Sequence, residues 1–193
     1  MIRRPPRPTL LPYTTLFRSQ LATHGRWVHL YINGLYWGMY HVHERPDGDF
    51  MASYFGGEKE DYDALSAGNP RSGDKVAWNA MFAIANGNIA NPARYANIQH
   101  YLDVNSLIDY MLVNFFVGNT DWDGHNWRAA RKRERGAGYL MLPWDSEFAI
   151  SPNGAGVINS PQPISNALNI NVTGKNGSNR PTGLHQRLAL NTE

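Results

Sequence analysis

The stretch that decides the fold reads LIDYMLVNFFVGNTDWDGHNWRAARKRERGAGYLMLPWD, residues 107–145. Its first part has apolar residues at helical spacing, and Asp103 or Asn105 can cap such a helix. The residues predicted to face a core are Leu107, Ile108, Met111, Leu112, Phe115 and Phe116. Gly118-Asn119 ends the helix, a polar loop follows, and a hairpin is expected over roughly 127–131 and 138–144. The pattern therefore predicts a buried helix, a polar loop and a hairpin in that order.

A second hairpin is predicted towards the amino terminus, over residues 26–43 (RWVHLYINGLYWGMYHVH). Asn33-Gly34 supplies the positive φ angles that a type I′ turn needs. Regular pairing from this turn places one apolar set on one face: Val28, Leu30, Ile32, Leu35, Trp37 and Met39. The other face receives Trp27, Tyr31, Tyr36 and Tyr40, and the polar far end receives His24, Arg26, His41 and His43. Because both faces are largely apolar, we expect the hairpin to be covered on both sides.

The rest of the chain alternates between loops and helices. Residues 44–57 read as a loop, residues 75–90 have helical spacing, and Pro92 can open a short helix to about Tyr101. Residues 151–183 are rich in Asn, Gly, Ser and Pro and read as loop, and a helical pattern begins at Pro181. These elements predict the α+β class, with hairpins packed on helices.

Residues 1–19 stand apart from this pattern. They closely resemble a translated sequencing adapter, MIRRPPRSTLFPYTTLFRS, from which only Pro8 and Leu11 differ. The segment has four Arg and no acidic residue, so the remaining residues carry a net charge of −2 instead of +2. We therefore expect a non-native segment over 1–19, a domain over 20–193 that is truncated at both ends, and flanking domains in the parent chain.

Composition excludes several classes of protein and site. The chain has no Cys, which excludes disulfides, thiolate zinc sites and a Cys nucleophile. No apolar run approaches the roughly 18 residues of a membrane span. Once residues 1–19 are set aside, the basic charge that would suggest a nucleic-acid partner disappears, and we expect none.

Three polar residues around the second hairpin carry the candidate chemistry. Asp121 and Asn126 have the spacing D-x-x-x-x-N, and Asp145 follows the second predicted strand. Protein kinases have this order of parts, in which a loop Asp accepts the substrate hydroxyl proton and an Asn and a second Asp hold Mg²⁺. From the residues alone, an alternative stays open: Asp121 and Asp123 form Asx turns, and Asn126 pairs with backbone groups.

Residues 31–193 resemble the spore-coat protein H (CotH) family of atypical, secretory-type protein kinases. The matching segments are YINGLYWGMYHVHERPDGDFMASYFG, LIDYMLVNFFVGNTDWDGHNW and PWDSEFAI. The resemblance implies a reduced kinase-like fold that binds ATP and Mg²⁺, located outside the cell or in its envelope, with a protein Ser/Thr as acceptor. It also implies that Asp121 is catalytic, that Asn126 and Asp145 hold the metal, and that Glu44 and Arg45 lie in the nucleotide site.

One position departs from the family pattern. The family commonly has a phosphate-binding Lys in a strand after the acidic patch, and this chain has Ser66 there. Lys59 and Lys75 flank the stretch and could replace that Lys only if the loop moves. The departure favours an alternative function, a catalytically inactive kinase-like binding module within a large cell-surface protein. A histidine metal site formed by His24, His41 and His43 is a further alternative.

Overall fold

The computed structural model describes residues 21–146, 149 and 172–191. The described elements in chain order are β1 (Gly25–Ile32), β2 (Leu35–His43), α1 (Gly48–Phe55), β3 (Tyr62–Ser66), β4 (Asn69–Ser72), α2 (Val76–Ala85), α3 (Pro92–Ile98), α4 (Val104–Phe116), β5 (Trp127–Lys132), β6 (Leu140–Pro143) and α5 (Pro181–Leu188). Five helices with two antiparallel sheets confirm the predicted α+β class. The predicted adapter-derived segment 1–19 and most of the predicted loop 151–183 lie outside the described residues.

A four-stranded sheet of order β4-β3-β5-β6 forms the centre of the domain. Strand β3 is buried along its whole length, which is expected of a strand covered on both faces. One face packs on α1 through a cluster that contains Phe50, Met51, Tyr62, Ala64, Ala130 and Leu142. The opposite face packs on helices α2, α4 and α5 through the larger core, in which Trp78 stacks on Trp127 with ring centroids 5.1 Å apart.

Helix α4 begins and ends where the sequence predicts. Asp103 is its N-cap and accepts a hydrogen bond from Ser106 N at 2.9 Å. The predicted core face is only half right, because Leu107 and Met111 are buried whereas Ile108, Leu112 and Phe116 are 47, 59 and 73% exposed. The buried positions instead continue through Tyr110 and Asn114, so the core-facing stripe is rotated towards the polar loop.

The amino-terminal hairpin turns at Asn33-Gly34 as predicted, with φ angles of 51° and 80°. Its register is not the predicted one, because a bulge between the Leu30 and Tyr31 pairings sets Gly38 opposite Leu30. Trp37 is the extra residue on β2, and beyond it the strand faces are exchanged. Met39 therefore pairs with His29 and joins the face of Trp27 and Tyr31, while Tyr40 joins that of Val28 and Leu30.

The prediction that this hairpin is covered on both faces is wrong. It forms a separate two-stranded sheet, and large apolar side chains on both faces are open to solvent: Trp27 is 65% exposed, Leu35 71% and Trp37 61%. The same hydrophobic pattern that marks a buried strand also fits a strand whose partner surface is outside the described residues. No helix in the described ranges is long and apolar enough to cross a membrane.

Two elements were predicted neither from the residues nor from the resemblance. Helix α1 lies in the stretch that reads as loop, and its N-cap Asp47 accepts a hydrogen bond from Phe50 N at 3.1 Å. The signal was present as an Asp cap before an apolar pair, but the adjoining Gly residues obscured it. Strand β4 contains Pro70 and carries no apolar alternation, which is typical of an edge strand and leaves little trace in the sequence.

Candidate active site

One end of the central sheet brings together the residues that the sequence predicts to carry chemistry. Trp127 at the start of β5 pairs with Pro143 at the end of β6. Asn126 directly precedes Trp127, and Trp144-Asp145 directly follows Pro143. Both metal-site candidates therefore lie at the same end of the strands. Strand β3 also ends there, since Ser66 pairs with Arg128 and Ala67 N donates to Trp127 O at 3.1 Å.

The loop that carries Asp121 is anchored on helix α4. The buried Trp122 donates its indole N–H to the hydroxyl of buried Tyr110 at 2.7 Å. Asn119 donates to Asn114 Oδ1 at 2.9 Å, and Asn114 donates to Tyr110 O at 2.9 Å. Burial of these groups makes the network rigid, because each polar atom that lost its partner would cost the desolvation free energy. The loop Asp is therefore held on a fixed frame.

The Asp121 carboxylate is oriented by its two downstream neighbours. Asn126 Nδ2 donates to Asp121 Oδ2 at 2.9 Å, and His125 Nε2 lies 2.8 Å from Asp121 Oδ1. The Asp121 side chain retains 28% exposure, so an incoming hydroxyl can reach it. Because the amide nitrogen of Asn126 faces Asp121, its amide oxygen is left for another ligand. The contact of His125 with the Asp121 carboxylate was not predicted from the sequence.

Asn126 and Asp145 both have left-handed backbone conformations, with φ angles of 57° and 52°. Asn and Asp enter this region more readily than other side chains that carry a Cβ. Such conformations cost about 1–3 kcal/mol each and occur preferentially at functional sites. Their occurrence at the two predicted metal-site residues is consistent with a role in ligand binding.

The predicted nucleotide-site residues Glu44 and Arg45 follow β2. Burial alone would raise the pKa of the Glu44 carboxyl, but hydrogen bonds from His24 N at 2.8 Å and from Tyr54 OH at 2.9 Å lower it below its usual range. These contacts fix Glu44 between the hairpin and helix α1. Arg45 is exposed and lies close enough to Arg128 for its charge to affect that guanidinium. Their assignment to the nucleotide site stays a prediction.

Two cationic residues near the site were not predicted. Arg128 lies on β5 opposite Ser66. Lys175 lies in the segment before α5 and contacts the loop that carries Asp121. Lys175 Nζ donates to Thr120 O at 2.8 Å. Burial lowers the pKa of Lys175, whereas the charges of Asp123 and Asp121 act to raise it. No local sequence signal marks Lys175, because the contact joins residues 55 positions apart.

Asp123 has a different environment from Asp121. Its carboxylate is buried, with 4% residue exposure, and Oδ2 accepts a hydrogen bond from Thr182 N at 2.8 Å, in the first turn of α5. A carboxylate at a helix N-terminus stabilises that helix through the unpaired N–H groups and the helix dipole. Asp123 thus joins the loop to α5 through a contact between distant residues, which is a structural role but not the Asx turn left open above.

We expect Asp123→Ala to lower the free energy of unfolding by roughly 1–3 kcal/mol, because the buried Thr182 N–H loses its acceptor. Asp123→Asn keeps an acceptor oxygen and is expected to cost less. Urea denaturation followed by tryptophan fluorescence measures both. The exposed acid Asp49, replaced by Ala, is the matched control. Equal stability of the Asp123→Ala variant and the parent would contradict the structural role.

The donor set fits a magnesium ion that is shared with a phosphate ligand. No group of three or more His, Cys, Asp or Glu residues that could hold a metal occurs within the described ranges. Mg²⁺ is commonly bound by one or two carboxylates together with substrate phosphates and water, so it does not require such a group. Asp145 and the amide oxygen of Asn126 are hard oxygen donors at one sheet edge, and they would hold the ion.

The histidine alternative receives no support from the geometry of its members. His24 Nδ1 lies 2.7 Å from Tyr54 OH and 3.1 Å from Glu44 Oε2. The ring of His41 stacks on that of His43 at 5.3 Å, and His43 Nδ1 is 2.8 Å from Glu44 O. The described residues thus show no histidine metal site.

The base of the hairpin lies beside the residue that precedes Asp145. His43 contacts Trp144, with ring centroids 5.1 Å apart.

Comparison with known protein families gives a match over most of the chain. A family model described as CotH kinase protein matches residues 19–176, which is most of the chain and includes every candidate site residue named above. The match leaves out residues 1–18, which are all but the last residue of the predicted adapter-derived segment 1–19. No curated protein matches the chain.

Proposed function

Because the chain belongs to the CotH kinase family, we propose that it catalyses ATP- and Mg²⁺-dependent phosphoryl transfer to a Ser or Thr hydroxyl of a surface or secreted protein. The observation that carries the proposal is the orientation of the Asp121 carboxylate by Asn126 and His125, beside the sheet edge from which Asp145 leaves. An extracellular or envelope location is part of the same proposal.

Each residue has a separate role in the proposed step. Asp121 accepts the proton of the acceptor hydroxyl while the hydroxyl oxygen bonds to the terminal phosphorus. The bond from that phosphorus to its bridging oxygen breaks, and the nucleoside diphosphate leaves with the electron pair. Bound Mg²⁺ would neutralise the charge on the bridging oxygens. Asn126 would link the two halves of the site, since its amide nitrogen donates to Asp121 and its amide oxygen would bind the metal.

A second candidate function is an inactive kinase-like binding module. Ser66, which stands where the family commonly has a phosphate-binding Lys, favours it. The oriented carboxylate of Asp121 favours the enzyme, because a module that only binds has no need to hold a proton acceptor between two donors.

The test is nucleotide binding and transfer by the purified chain. We expect calorimetry to detect ATP binding that tightens when Mg²⁺ is added, and we expect phosphate from labelled ATP to reach a Ser/Thr peptide library. Binding without transfer to any peptide or to the chain itself would favour the inactive module. Absence of Mg²⁺-dependent ATP binding would overturn the enzyme and leave a module that binds only a partner.

A further inference from the structure

We propose that Arg128 supplies the phosphate-binding cation that the chain lacks at Ser66. The inference rests on the proposed function and assigns to that site a residue on a different strand. Arg128 would pair with phosphate oxygens of the nucleotide, next to the metal candidates Asn126 and Asp145.

The strand register places Arg128 beside the position on β3 where the family commonly has its phosphate-binding Lys. Ser66 and Arg128 are direct partners in the antiparallel β3–β5 pair. Directly opposed residues point to the same face of a sheet, with Cβ atoms about 4.5–5.5 Å apart. A long side chain from either position can therefore reach the same space beyond the sheet edge. Ser66 is buried, with 6% exposure, and its short side chain leaves that space to Arg128.

The Arg128 guanidinium is held in position by its surroundings. It lies over the ring of Trp144, with Cζ 4.3 Å from the ring centroid, and Nη1 donates to Trp127 O at 3.1 Å. Stacking on an aromatic ring fixes the plane of a guanidinium while its remaining N–H groups stay available. A planar fork with free donors suits the bidentate recognition of phosphate. Trp144 directly precedes Asp145, so the same stack places Arg128 beside the metal candidate.

The charge around Arg128 favours an anionic ligand. The side chain is half-buried, and the charges of Arg71, Arg45 and Asp145 lie close enough to act on it. Three arginines thus act on one another at one end of the sheet, and the proposed function gives the neighbouring Asp145 carboxylate to a metal. Binding of a polyanion such as a nucleotide di- or triphosphate would reduce the repulsion among these arginines.

The lysines that flank Ser66 in the sequence lie at the opposite end of the sheet. Lys59 precedes β3, and Ser66 ends it, so the strand itself separates them by roughly 13 Å at about 3.3 Å per residue. Lys75 follows Asp74, whose carboxylate contacts Arg133 at 2.6 Å, and Arg133 N donates to Asp61 O at 2.6 Å. These contacts tie Lys75 to the start of β3.

The experiment compares nucleotides that differ only in their phosphates. For Arg128→Ala we expect the affinities for Mg·ADP and Mg·ATP to fall by about tenfold or more, with the affinity for adenosine unchanged. Arg128→Lys is expected to retain part of the affinity, because it keeps the charge but not the fork. The control is Arg135→Ala, an exposed arginine at the far hairpin tip. Adding Ser66→Lys to Arg128→Ala is expected to restore phosphate affinity.

The outcomes separate the inference from the proposed function. If the parent binds Mg·ATP and Arg128→Ala binds ADP, ATP and adenosine like the parent, Arg128 is not the phosphate cation. An equal loss for adenosine and ADP would assign Arg128 a structural role beside Trp144 and would also overturn the inference. If Arg128→Ala does not fold, Arg128→Gln keeps the stem over Trp144 and carries the same expectation. A parent that binds no nucleotide overturns the proposed function itself.

Discussion

Asp121→Asn is expected to reduce phosphoryl transfer by roughly 10²–10⁴-fold while leaving Mg·ATP affinity within about twofold. The substitution removes the proton acceptor but keeps the shape of the side chain. The amide oxygen of the new residue can still accept the hydrogen bond that Asn126 Nδ2 donates at 2.9 Å. The acceptor hydroxyl then has no base, whereas the metal-side residues are unchanged. Single-turnover transfer of labelled phosphate, paired with calorimetric titration, measures both quantities.

The matched control for Asp121→Asn is Asp49→Asn, which makes the same chemical change on the exposed first turn of α1. It is expected to leave both transfer and binding unchanged. His125→Gln removes the second contact to the Asp121 carboxylate, 2.8 Å in the parent, and is expected to slow transfer less than the loss of the carboxylate does. Transfer by Asp121→Asn at the parental rate would show that another group accepts the proton.

Local signals accounted for the parts of the fold that the sequence predicted correctly. The turn at Asn33-Gly34 follows from the backbone freedom of two adjacent residues, and the start of α4 follows from the Asp103 cap. The bulge at Trp37-Gly38 could not be predicted, because a bulge depends on how the two strands meet and not on either strand alone. The exposure of the hairpin could not be predicted either. Hydrophobic residues indicate that a face can be buried, but they do not show which surface buries it.

The candidate site divides in the same way. Asp121, Asn126 and Asp145 could be predicted as site residues because they flank elements whose order is readable along the chain. Arg128 is one of five basic residues between positions 128 and 135. Its relation to Ser66 appears only when β3 pairs with β5. That pairing joins segments about sixty residues apart, and such long-range register has no signature within a sequence window.

The effect of the Asp145 carboxylate on nucleotide binding is expected to differ with and without Mg²⁺. The Asp145 carboxylate interacts electrostatically with the guanidinium of Arg128. In the proposed function it would also bind the magnesium ion that the family suggests. With the metal absent, the Asp145 carboxylate repels phosphate and offsets part of the attraction of Arg128. With the metal bound, the same carboxylate would contribute to holding it, as the proposed function requires. The sign of its effect on nucleotide affinity is therefore expected to depend on Mg²⁺.

Asp145→Asn is expected to weaken Mg·ATP binding by at least roughly tenfold and to leave Mg²⁺-free ATP binding equal or tighter. A full carboxylate stabilises the metal more than a neutral amide does, whereas its removal also removes a negative charge beside Arg128. The backbone is not expected to change, because Asn accepts the left-handed conformation of position 145, with a φ angle of 52°, as readily as Asp does. Titration of ATP with Mg²⁺ and with EDTA measures the two affinities, and Asp49→Asn again serves as the control. An unchanged ratio of the two affinities would show that Asp145 does not hold the metal, whereas an equal loss in both would show that it acts on the nucleotide without the ion.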